Sequence, residues 1–494
     1  MSCEDNAGQL LLVEHDRAAQ GPLPAVDYVA LSYCWGTQGL FKTKRKDIDR
    51  LKRGFQLSEL PKTLQDAVAV TRQLGIPYIW IDAVCIVQDD AADKERELGV
   101  MAEVYSNATI TLAALSAASV TEGFLHLRRR PVRFARTWAE GNGFTTVLVA
   151  QEKIRTGLHA SSLRNDWHPL MGTQNGDFDP VQTRGWCFQE QILSRRFVAY
   201  SRHEVQWSCR TEIGCQCRLI GGDGTTGSIP QALSVQQDPF RFWAEMVSFY
   251  SQRGLTYLND KLPAISGLAR EVQRFTSADY IAGIWLQDLK RNLSWTPEDE
   301  VTSCPSTYRA PSFSWASIDS PVFMHTAPDT LPDVINVLRW DVEPRHQDLL
   351  GEIKHASLTV SGFVHTATIT YNPESGGSVF CVTIAGERAF LEEDTYLAKF
   401  RTQDAAGSES WSVRRSRVEV THSQNEWGAG VPVQALCLSV GDKGVLFIVL
   451  GPCANDGTKL ERVGTTNVTT TISPFEDFVR EVTLDCHRQT ITLV

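Results

Sequence analysis

The chain has 494 residues, more than one ordinary hydrophobic core accommodates, so two or three domains are expected. Its 48 basic and 58 acidic residues leave a net charge of −10, which argues against nucleic acid as a general partner; the densest basic stretch, 42–53, is diluted by Asp47 and Asp49 and reads as a solvated face. Twelve cysteines, several set singly in apolar runs (Cys34, Cys85, Cys187, Cys437), suit reduced thiols and a cytoplasmic location. The start Met-Ser-Cys-Glu-Asp does not read as a signal peptide. The longest apolar stretch, near 431–450, is broken by Pro432 and by Gly441 to Gly444, so no membrane span is expected.

After an N-terminal segment, 1–25, the first strong signal is Tyr28-Val-Ala-Leu-Ser-Tyr-Cys-Trp-Gly36, a strand-like run apolar on both faces with polar groups toward its end. Leu64, Ala67, Val68, Thr71 and Leu74 then share a helical face that Gly75 and Pro77 close. A second strand-like run, Tyr78 to Ile86, holds Asp82. Leu98, Met101, Tyr105 and Ala108 predict another helix, which feeds a third apolar run, 108–115. Strands alternating with helices predict a parallel α/β sheet, because parallel neighbours need crossover connections. Residues 117–181 have weaker periodicity and read as an insertion, with Arg128 to Pro131 and Gly172 to Pro180 as loops. A short helix at Arg184 to Leu193 and a strand at Arg196 to Ser201 complete a domain over 26–235. A mainly helical region, 236–333, follows, with Trp243, Met246, Val247 and Tyr250 as a core stripe. A β-rich domain, 334–494, is predicted from runs such as 357–371, 379–384, 418–421, 445–450 and 488–494.

Several chemistries lack support. No P-loop, His-Glu-x-x-His or Gly-x-Ser-x-Gly pattern occurs. Gly222-Asp-Gly-Thr-Thr-Gly227 has dinucleotide spacing, but Ser228-Ile-Pro230 follows where a helix is needed, so it reads as a loop. His203, Cys209, Cys215 and Cys217 carry zinc-type ligands at unusual spacing and read as ordinary side chains; no metal or cofactor is expected. Cys85, in an apolar run, reads as an inert thiol.

The polar residues in the apolar runs are the candidate site. Parallel sheets bind ligands at the carboxyl ends of their strands, where Ser32, Tyr33, Trp35 and Gly36 fall. Asp82 in a buried strand needs a partner, structural or ligand-borne. Glu190 lies four residues after Trp186, on one helical face; spacing alone favours a surface glutamate, and an aromatic wall would instead allow a raised pKa or stabilisation of a cation.

Tyr28 to Gly36, Leu60-Pro-Lys-Thr-Leu-Gln-Asp-Ala67, Tyr78 to Gln88, Met101-Ala-Glu-Val-Tyr-Ser-Asn-Ala108 and Arg184-Gly-Trp-Cys-Phe-Gln-Glu190, in that order, resemble the fungal heterokaryon incompatibility (HET) domain family, over residues 26 to about 210. The resemblance implies a cytoplasmic effector of nonself recognition and regulated cell death. It also implies a parallel-sheet fold like that of Toll/interleukin-receptor (TIR) domains, some of which cleave NAD, followed by a helical segment and a β-rich domain. Ser32-Tyr33 and Trp186-Cys-Phe-Gln-Glu190 match the first-strand and glutamate segments of such domains, although a compact TIR domain would not carry the 117–181 insertion. On this reading Glu190 is the catalytic residue, and Ser32, Tyr33, Trp35, Gly36, Asp82, Arg184 and Trp186 bind a nucleotide-like ligand, with NAD the substrate. The alternative is a non-enzymatic signalling module whose same residues shape a surface for a homo-oligomer or an activating protein.

Overall fold

The computed structural model describes residues 1–6, 8–14, 26–126, 133–139, 145–151, 178–202, 204–209, 213–215, 235–298, 305, 307–324, 334–371, 380–394, 397–403, 409–415, 427, 430–440, 444–453, 456–469, 475–483 and 488–494. Two compact units divide the chain, Met1–Ala232 and Leu233–Val494. The glycine pattern at 222–227, His203, Cys217, the loop at 128–131 and the expected strand at 418–421 lie outside the described residues.

In chain order the first unit contains β1 (Ser2–Asn6), β2 (Gln9–Leu11), β3 (Tyr28–Ser32), α1 (Ile48–Arg53), β4 (Phe55–Gln56), α2 (Lys62–Gln73), β5 (Tyr78–Trp80), α3 (Asp82–Cys85), α4 (Ala91–Asn107) and β6 (Ile110–Ala113). A hairpin, β7 (Arg133–Ala139) and β8 (Thr145–Gln151), falls within the insertion. Then come α5 (Gly185–Leu193), β9 (Arg196–Tyr200), β10 (Val205–Cys209) and β11 (Ile213–Cys215). The main sheet runs β11-β10-β9-β6-β3-β5-β1-β2-β4.

Its centre, β9-β6-β3-β5, is parallel as the alternation of strands and helices predicts. Both flanks are antiparallel, so the sheet is mixed rather than purely parallel. The N-terminal segment is part of this: Ser2 pairs with Tyr78, and the Met1 ammonium donates to the Ile79 carbonyl at 2.9 Å. Numbered as they occur, the four parallel strands lie in the order second-first-third-fourth. The order reverses between β3 and β6, and ligands of open α/β sheets bind outside the carboxyl ends at such a switch point.

The two faces are covered by different helices. Val29, Leu31, Ile79 and Leu112 meet Leu64, Ala67 and Val68 of α2 in one core. That helix stops where expected, with Gly75 at φ +68° donating to the Arg72 carbonyl. On the other face Ala30 packs against Met101 and Tyr105 of α4, whose start Asp90 caps by accepting from the Ala92 and Asp93 amides. Ala113, Phe197 and Ala199 pack with Cys187 of α5. Ser32 lies two residues after Ala30 and so shares the face covered by α4 and α5. Each fully buried aliphatic chain in these layers contributes about 1.5–3 kcal/mol.

One predicted element is shorter than expected. The run from Tyr78 is a strand only to Trp80, and Asp82 opens the helical turn α3 instead of sitting in a strand. The cause is local: the Asp82 carboxylate accepts from the Ala83 amide at 2.6 Å, satisfying a donor at the start of the turn.

In the second unit, helices Pro239–Ser251 and Ser266–Thr276 pack around Trp243, Tyr250, Trp285 and Trp315. The helical stripe predicted from Phe240 onward is thus two helices. The 19-residue strand Ile353–Tyr371 bends through the β-rich region, pairing with Ile335–Pro344, Phe380–Ile384, Val431–Val440 and Arg488–Leu493. Pairing continues through Val445–Pro452 and Leu460–Val468 back to the C-terminal strand, so these ladders close into a small barrel. The fully buried Arg462 anchors it: the guanidinium grips Asp394 at 2.9 and 3.0 Å, donates to the Leu293 and Trp295 carbonyls, and lies over the Trp295 ring at 3.5 Å.

Candidate functional site

The carboxyl end of β3 is where the polar residues converge. Tyr33 Oη donates to Asp82 Oδ1 and Trp35 Nε1 to Asp82 Oδ2, each at 2.8 Å. With the Ala83 amide, the half-buried Asp82 therefore accepts three hydrogen bonds and has the partners that a carboxylate in apolar surroundings demands. Burial raises its pKa, and Tyr33, Trp35, Arg184 and Ala83 oppose the rise. Burial, then the Asp82 charge, holds the Tyr33 hydroxyl well above its ordinary value, so it stays a donor. Asp82 ties α3 to the segment after β3 and has no carboxylate oxygen left without a donor.

Gly36 sits at φ +72°, in the left-handed region, and a Cβ there would come within 2.6 Å of Ser119 Cβ. It turns the chain away from β3 and lets the 114–122 segment close over it. Trp35 carries Lys42 Nζ over its ring at 4.8 Å.

Arg184 and Glu190 arrive from the other side of the insertion. Arg184 immediately precedes α5 and donates from a guanidinium nitrogen to the Tyr33 carbonyl. Burial works against its charge, but Cys187, Glu190, Cys34 and Asp82 together hold its pKa above the ordinary value. Glu190 is 5 % exposed, so it is not the surface glutamate that spacing alone favours. The helix is buried at Cys187, Phe188, Gln189, Glu190 and Gln191, too much of its circumference for a solvated face.

Burial lifts the Glu190 carboxyl to about 7, with the Asp82 charge adding to the rise and Ser32, Arg184 and Cys187 opposing it. The Ser32 hydroxyl is near enough to draw that value down, yet its orientation completes no hydrogen bond to a described atom. A buried hydroxyl without a hydrogen-bond partner among the described residues thus stands beside a buried carboxyl whose pKa burial raises, at the strand that borders the switch point. Such a pair can receive a polar ligand group.

Trp186 lies elsewhere on α5. It packs with Tyr28 and Trp80 around Ala30, Met101, Tyr105 and Ala108, so its visible role is to seat α5 on α4. Sequence reasoning did not single out Tyr105. Its hydroxyl donates to the Leu31 carbonyl at 3.0 Å, and the Glu190 charge is the second cause, after burial, of its raised pKa. Its place in the helix stripe was legible; its polar end was not. Cys34 and Cys187 also flank the cluster as free thiols whose pKa values burial raises, which keeps them protonated. Among the described residues no group of three or more metal-ligating side chains occurs. No helix among them is long and apolar enough to cross a membrane.

Residues 28–190, from the first residue of β3 to Glu190 itself, match the heterokaryon incompatibility protein (HET) family. No curated protein and no solved structure matches the chain.

Proposed function

We propose, for a chain that carries a heterokaryon incompatibility (HET) domain at residues 28–190, that this domain is the TIR-like effector part of a cell-death protein and cleaves NAD at the nicotinamide–ribose bond. The observation that carries the reading is the buried Glu190 carboxyl beside the unpartnered Ser32 hydroxyl at the end of β3. The second-first-third-fourth order of the parallel strands supports it, because open α/β sheets bind ligands where such an order reverses.

The chemistry follows from charge. As the glycosidic C–N bond breaks, its electron pair neutralises the pyridinium of nicotinamide, and positive charge develops on the ribose. An ionised Glu190 stabilises that charge in a water-poor site, where a fixed anion acts most strongly. Water then bonds to the anomeric carbon and releases its proton. Asp82 holds Tyr33 and Trp35 in place, and Arg184 keeps α5 docked against the β3 terminus. Because only the carboxylate form can act, and burial puts the Glu190 pKa at about 7, the rate rises with pH through that value.

A second reading, a non-enzymatic signalling module, is favoured by the depth of the pair: Ser32 is 1 % and Glu190 5 % exposed, so a substrate must part α5 from the sheet to reach them. Incubating the purified chain with NAD decides between the two. Nicotinamide release that is lost in Glu190→Gln supports catalysis; release unchanged in that variant, or none from the wild-type chain under assembling conditions, supports the module.

A further inference from the structure

We propose that the outer edge of the Ile335–Pro344 strand is a homodimer interface, at which a second copy of this chain adds its own 335–344 strand antiparallel about a two-fold axis at Trp340. Among the described residues this ten-residue strand pairs on one side only, with Ile353–Tyr371. Its other side therefore offers backbone donors and acceptors to an incoming strand.

The β-rich region treats its edges differently. Barrel closure removes most of them. Among the described residues the other free edges, Glu387–Phe390 and Glu392–Glu393, are four and two residues long and rich in charge, which limits pairing. The 335–344 edge is long and presents large apolar chains at its middle, Leu338 at 56 % and Trp340 at 43 % exposure. Register shifts between Val337 and Arg339 and between Glu343 and Pro344 leave 339–343 as an uninterrupted stretch centred on Asp341, with Trp340 beside its middle.

The occupant is identified by charge. Arg339 and Asp341 flank Trp340, both exposed, and neither forms an ion pair among the described residues. Antiparallel pairing of two copies about Trp340 sets each Arg339 opposite the partner's Asp341, giving two opposite-charge cross-strand pairs, and brings the two Trp340 side chains together. A two-fold axis requires this: the same patch must complement itself, and a sequence with unlike charges on either side of a central aromatic does. Glu343, further out, is already held by Lys354 at 3.0 Å, so it adds no uncompensated charge.

Sedimentation velocity of the full chain over a concentration series tests the proposal. The wild type is expected to reach twice the monomer mass, Arg339→Asp and Asp341→Arg each to weaken dimerisation by about tenfold or more, and the double swap R339D/D341R to restore it. Trp340→Cys supplies a second measure, since only a residue on the axis meets its own copy; oxidation is expected to give a covalent dimer absent from the wild-type chain. A wild type that stays monomeric, a dimer that both single reversals leave intact, or a Trp340→Cys chain that does not cross-link would overturn it. A monomeric result would leave the edge to a strand from another protein.

Discussion

Replacing Glu190 by glutamine isolates the free energy stored in its burial. The native carboxyl is raised from 4.5 to about 7, with burial the largest cause, so between those values the folded state holds a proton that the unfolded chain has lost. The stability linked to this group is complete below pH 4.5 and is lost as pH rises through 7. The shift from 4.5 to about 7 corresponds to about 3 kcal/mol lost by pH 8, at about 1.4 kcal/mol per pH unit where the protonation states differ. Glu190→Gln carries the same shape without the titration, so relative to the wild type it gains about 3 kcal/mol on going from pH 4.5 to pH 8. Two compact units make a global unfolding trace ambiguous. Urea-dependent hydrogen exchange of peptides from β3, α5 and β6 reads the first unit alone. Parallel pH dependences for the two chains would refute the reasoning, because they would mean that Arg184 keeps the carboxylate ionised throughout.

Two further substitutions test how the units are held. Asp82→Ala leaves the Tyr33 hydroxyl, the Trp35 indole and the Ala83 amide without their acceptor and is expected to cost about 2–4 kcal/mol, read by the same exchange measurement; Asp82→Asn keeps acceptor capacity and should cost less. In the second unit, Arg462→Met strands the fully buried Asp394 and is expected to destabilise by about 3–5 kcal/mol in exchange of the 445–468 peptides, whereas R462M with Asp394→Leu should recover much of that loss.

The alternation of β3, β5 and β6 with α2 and α4 was legible because buried parallel strands and amphipathic helices impose different apolar periods. The polar groups at the end of β3, Ser32 and Tyr33, stood out in the sequence because they interrupt a doubly apolar run. Asp82 was found for the right reason, a carboxyl in apolar surroundings. Its placement in a strand was wrong because the Ala83 amide takes up the carboxylate and starts a helical turn, a local competition that periodicity does not register. The antiparallel flank at β1 and β2 was missed because residues 2–11 are too short to show alternation, and only pairing with β5 and β4 makes strands of them.

The chain by itself determined that an α/β region is followed by a β-rich one, because apolar period and turn residues are local properties, and that a carboxyl at Asp82 in an apolar run needs a partner. Tertiary structure decided which polar residues belong together. Helical spacing put Trp186 beside Glu190, yet the fold sends Trp186 against α4 and Glu190 against Ser32, 158 positions earlier in the chain. Whether a glutamate is solvated at an ordinary pKa or buried at about 7 depends on what covers it, and that cover comes from strands and helices remote in sequence.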